Sequence, residues 1–173
     1  MGDWLRRIQR ALRLDPDLFE EVEHDHSAGP QAFAVVVCAS LAGGVGNILA
    51  SALLRDEAAG WTSVIVLTAF FLVAWLAWSF VMMAIGTTLF GGVADMGEMQ
   101  RALGFAAAPG LLMILPGVGA IVGLPWSLVA MVIAVRQALD FSTSKALVTV
   151  AAGATVMALV LGPTACFIGT RLQ

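Results

Sequence analysis

The chain has 173 residues, 60% of them hydrophobic and only 12% charged, with a mean hydropathy of +0.91. That balance excludes a soluble globular domain, which would aggregate with so much apolar surface and so little charge to cover it. The net charge of -3 is small, and it sits in the first thirty residues, which hold four arginines against seven acids, so broad nucleic-acid binding is excluded as well.

The opening stretch "DWLRRIQRALRL" reads as a helix capped by Asp3. Trp4, Leu5, Ile8, Ala11 and Leu12 share one face, and Arg6, Arg7, Arg10 and Arg13 ring the other. This pattern predicts an interfacial helix, with arginines at anionic headgroups and Trp4 at the headgroup boundary; packing on a partner's surface is the alternative. A second helix start follows in "LDPDLFEEVEHDH", with Asp15 as cap and Pro16 in the first helical position. Leu18, Phe19 and Val22 fall on one side of it. His24, Asp25 and His26 invite a metal reading, but histidines two residues apart leave a helix on different faces, and a solvated acidic hinge accounts for them better.

The first apolar run, from Gln31 to Leu54, is long enough to cross about 30 Å of hydrocarbon as a helix. Nothing in the polar residues before it resembles a removable signal peptide. Within it, "ASLAGGVGN" pairs small residues four apart, so Gly43, Gly44 and Asn47 are predicted to form a seam with another helix. Cys38 here and Cys166 later lie in apolar surroundings and read as small hydrophobes. The polar loop "RDEAAG" leads to a second run, Trp61 to Phe90, longer than a bilayer needs and therefore tilted, kinked near Gly86 or extended past the surface. Trp75 and Trp78 lie deep within it and point to an internal packing face.

After "GGVADMGEMQR", where Asp95 is the expected cap, residues Ala102 to Leu139 are apolar almost throughout. One crossing would strand more than a dozen of them in water, whereas "LPGVG" supplies a turn between two. A hairpin puts Arg101, Arg136 and Lys145 on the side of the four N-terminal arginines, a bias of seven cations to two; a single crossing gives six to three. The preferred fold class is therefore all-α: a polytopic helical membrane protein of five transmembrane helices, with an amphipathic interfacial helix at a cytoplasmic N-terminus and the C-terminus outside. Residues 1–30 form the cytoplasmic segment and 31–173 the membrane domain, whose last span runs from Ala146 to Ile168.

The third span is short, about 21 Å for Ala102 to Leu115 at about 1.5 Å per residue. Pro109 and Pro125 each remove a backbone donor, and with Pro116 they mark hinges; Gly119 and Gly123 are further candidates for close helix packing. Where the fourth span ends, "AVRQALDF" places Arg136, Gln137 and Asp140 near the inside surface. Arginine four residues before aspartate is the poorer order for a helical pair, and an acid at a helix C-terminus opposes the dipole, so Asp140 needs another explanation. Either it serves the turn with Ser142, Thr143 and Ser144, or it joins Glu98, Arg101, Arg136 and Gln137 in a polar cluster at the cytoplasmic ends of the third and fourth spans.

"RALGFAAAPGLLMILPGVGAIVGL", followed by "LVAMVIAVRQALDFSTSKALVTV", resembles the core of bacterial membrane proteins of the Yip family, named for interaction with Ypt/Rab GTPases. The similarity extends upstream to "LRLDPDLFEEVE". It implies a five-span helical protein with a cytoplasmic N-terminus. Eukaryotic relatives are associated with Rab GTPases and vesicle traffic through a longer cytosolic N-terminal region, a role not implied for this chain. A single lysine, Lys145, amid arginine and alanine fits a bacterial inner-membrane protein.

No triad, metal-ligand spacing or phosphate-binding loop is visible, so no catalysis and no cofactor are expected. The expected activity is association in the membrane with lipids, a second copy or another membrane protein. The alternative is a small-solute transporter or lipid-moving protein, motivated by the proline-broken hairpin.

Overall fold

The computed structural model describes residues 2–54 and 60–171, with side chains up to residue 160 in the last helix. Residues 55–59, which include Arg55, and the side chains of Cys166 and Arg171 lie outside the described residues. Seven α-helices follow in order: α1 (Gly2–Leu12), α2 (Pro16–His24), α3 (Gly29–Leu54), α4 (Trp61–Phe90), α5 (Met96–Ala106), α6 (Leu124–Ala138) and α7 (Thr143–Arg171). Short 3-10 stretches at His26–Ala28 and Ala108–Ile114 and a π-helical stretch at Gly119–Gly123 join some of them, and no strand occurs among the described residues.

Local chemistry sets the starts of α2 and α5. Asp15 accepts the N–H of Asp17 with Pro16 opening α2. Asp95 and Glu98 form a capping box on α5, each side chain accepting the other's backbone N–H at 2.8 and 2.7 Å. The α1 helix already includes Asp3, which bonds Arg6 within the first turn instead of preceding the helix as a cap.

Among the described residues, four helical stretches are long and apolar enough to cross a membrane: His26–Leu54, Trp61–Phe90, Gly119–Ala138 and Thr143–Val160. The α4 helix is the most outward-facing, with Ile65, Phe71, Val73 and Phe80 more than half exposed or at that boundary. A surface of this kind is stable only against lipid or protein.

Between α4 and α6 the third apolar segment is broken. Pro109 cannot donate to the carbonyl of Phe105, so α5 stops at Ala106 and the chain tightens into the 3-10 stretch. This segment runs beside α3 in the same direction: Gly104 abuts Ala32, Gly110 approaches Ala39, and Gly43 approaches Met113. A turn at Pro116 and Gly117, the latter at φ +79°, reverses it. The return begins as a π turn in which the Leu124 N–H reaches the carbonyl of Gly119. Pro125 follows at the start of α6, where the missing donor falls within the first turn.

The core runs through all of these parts. Ala11 of α1 and Leu18, Phe19 and Val22 of α2 are fully buried in the same cluster as Phe105, Ala134, Val135 and Leu139.

Candidate functional site

Of the polar residues expected to cluster, Arg101 and Gln137 bond α2, whereas Glu98, Arg136 and Asp140 make their hydrogen bonds to neighbours in their own segments. Arg101, in the second turn of α5, is 7% exposed and donates from Nε to the carbonyls of Val22 (3.0 Å) and Glu23 (3.1 Å); its Nη2 also bonds the Glu23 carbonyl. These are the unsatisfied C-terminal carbonyls of α2, so the guanidinium caps that helix and complements its dipole. Gln137 of α6 accepts from Arg136 Nε at 3.0 Å and reaches Glu20 of α2 at 3.4 Å. Glu98 is held in its capping box.

Asp140 lies in the left-handed region at φ +53°. The Phe141 N–H bonds the carbonyl of Arg136 at 2.8 Å and the Asp140 N–H bonds that of Gln137 at 2.9 Å, a Schellman ending in which a short polar residue tolerates the positive φ. The turn thus accounts for its conformation, with Ser142 accepting the Ala146 N–H through its carbonyl as α7 begins. Lys145 donates to the carbonyl of Phe90 at the end of α4 and sits 5.3 Å from the centre of the Phe141 ring. The ends of α2, α4 and α6 and the starts of α5 and α7 are thereby tied together.

Glu20 and Glu23 were not legible as members of this site from composition, although a signal exists. The spacing that groups Leu18, Phe19 and Val22 also puts Glu23 four residues after Phe19, on the buried side. Glu23 is 6% exposed and its Oε2 has no hydrogen-bond partner among the described residues. Burial, with Asp140, Glu98 and Glu20 nearby, pushes its carboxyl up to about 7, although the neighbouring His24 opposes that rise.

The four N-terminal arginines divide into two pairs. Arg7 bonds Glu21 at 2.8 Å, Asp25 at 2.6 Å and Gln31 at 3.1 Å, while Arg10 bonds Asp15 at 2.7 Å and also Glu21. Both therefore stitch α1 to α2, and Arg7 also ties it to the start of α3. Asp25 is held down to about 2 by Ser27, whose hydroxyl and N–H it accepts, and by Arg7. Arg6, paired with Asp3, and Arg13 remain exposed, as does Leu5, and Trp4 packs partly buried against the core. His24, Asp25 and His26 do not converge: no group of three His, Cys, Asp or Glu placed to hold a metal ion occurs among the described residues.

The predicted packing glycines occupy close approaches of two kinds. A Cβ at Gly44 would meet Val64 of α4 at 2.9 Å, while one at Gly43 would make an ordinary contact with Met113 at 3.8 Å. Gly46, absent from the predicted seam, is tighter than either, because a Cβ there would overlap the Met113 carbonyl. Asn47 is exposed. Gly119 presses on the Met113 backbone, and a Cβ at Gly123 would lie 3.4 Å from Leu112 and Pro109, so both serve the hairpin's own closure. Pro109 is buried, Pro116 half-buried and Pro125 exposed.

No curated protein and no solved structure matches the chain. The model of the Yip1 domain matches residues 12–163, from the end of α1 through most of α7, and therefore includes α2 and the polar end described above. The chain is a member of the Yip1 domain family.

Proposed function

We propose that this protein is a noncatalytic integral membrane protein that acts by association in the bilayer, with a second copy, another membrane protein or lipid. The observation that carries this reading is the division of its surface. Exposed apolar side chains line α4, while Arg101 and the Asp95–Glu98 pair at one end are committed to capping α2 and α5. Groups committed to helix ends hold a shape; they are poorly placed to move protons or attack a substrate. The charge bias of seven cations to two supports five crossings with this polar end in the cytoplasm and the C-terminus outside. Arginine and alanine usage supports a bacterial inner membrane as the location. The exposed side of α1, with Leu5, Arg6 and Arg13, would lie at the headgroups.

One observation favours transport or lipid movement as a second reading. The 3-10 and π stretches flank a hairpin in mid-bundle, and discontinuous helices of this kind bind substrates in transporters. The deciding experiment is crosslinking in the native membrane, purification in mild detergent and mass spectrometry of what copurifies. A reproducible protein partner or crosslinked homo-oligomer is the expected result. Recovery of one solute class alone would replace this reading with the second.

A further inference from the structure

Glu23 is the least satisfied ionisable group described. Its backbone carbonyl is bonded by Arg101, but its side chain, 8% exposed, has one oxygen without a partner among the described residues. The other lies 3.4 Å from Nδ1 of His24, whose ring nitrogen is already 3.0 Å from the carbonyl of Glu20. It sits at the negative end of the α2 dipole, in the seam where α2 packs on α5 and α6. A carboxylate there lacks the donors that would offset its desolvation, whereas a neutral carboxyl fits.

The charged groups around this seam do not neutralise it. From α2 itself come Glu20 and His24, from α5 Glu98, and from the turn after α6 Asp140. Arg101 of α5 is committed to the α2 carbonyls and Arg136 of α6 to Gln137. On the α1 side, Arg7 and Arg10 are taken by Asp15, Glu21 and Asp25.

We infer that Glu23 is a proton-dependent latch on the α1–α2 hairpin: protonated, it lets the end of α2 seat between α5 and α6, and ionised, it loosens that seat. The inference is independent of what the protein associates with. The sign follows from linkage. The seated carboxyl titrates at about 7 and the released one near its ordinary 4.5, so the seated state is favoured fully below 4.5 and loses ground as pH rises through 7, then levels off.

The test is hydrogen exchange with mass spectrometry on the full chain in lipid nanodiscs, corrected for the intrinsic pH dependence of exchange, with α6 peptides as the reference. Protection of the α2 amides should fall by roughly one to two orders of magnitude between about pH 5 and pH 8. Glu23→Gln should hold α2 protected at both, and His24→Gln should keep the fall in protection but with its midpoint moved to higher pH, because the group that opposes the Glu23 rise is gone. Equal α2 protection at both pH values in the wild type would overturn the latch. So would an undiminished pH response in Glu23→Gln, which would assign the titration to another group.

Discussion

The guanidinium of Arg101 bonds carbonyls 78 and 79 residues away in sequence, and through them α5 holds the end of α2. Removing it leaves buried C-terminal carbonyls without donors and opens a space in the seam. Arg101→Ala should therefore destabilise the protein by about 2–4 kcal/mol, read as a lowered detergent-phase Tm, with the loss of exchange protection greatest in α2. Arg101→Lys should recover little of it, because an ammonium cannot reproduce the spread of the guanidinium over two carbonyls. The sequence placed Arg101 at the inside end from charge bias but could not show what it holds, since the partners are backbone atoms and carry no residue signature. Asp140 was legible in part: its conflict with the helix dipole marked a special position, and the positive φ of a Schellman ending is the reason for it.

At the scale of elements, helix starts were readable because their chemistry is local. Asp15 with Pro16 and Asp95 with Glu98 lie within a few residues of the amides they serve. The fate of the basic helix was less legible. Four arginines opposite an apolar stripe signal an interface, but Arg7 and Arg10 find acids up to 18 residues on, a pairing that depends on how α1 folds back on α2. Gly46 was missed for a related reason: small-residue spacing marks a close approach without saying which glycine faces the neighbour. The geometry now separates them. Gly46→Ala would push α3 from the Met113 carbonyl and should cost about 1–3 kcal/mol, whereas Gly43→Ala should lie within about 1 kcal/mol of wild type. Thermal unfolding of the two variants in the same detergent checks the contrast, and equal losses would contradict the seam.

For the whole molecule, composition and apolar run length are global properties and gave the all-helical membrane architecture directly, with the second span matching α4 from Trp61 to Phe90. The count of crossings was harder to read, because the third segment is short and leaves α-helical geometry where Pro109 interrupts it. The topology turns on that segment. Running beside α3 from Ala32 to beyond Gly43, it should cross with α3, and the LPGVG turn should return the chain so that α2 and the start of α7 share one side. With Cys38 and Cys166 replaced by alanine, a single cysteine introduced at Asp17 or appended after Gln173 can be labelled with a membrane-impermeant maleimide in sealed vesicles of known orientation. Five crossings predict that the two positions label from opposite sides, Asp17 from the cytoplasmic one. Labelling of both from the same side would mean an even number of crossings and would contradict the account.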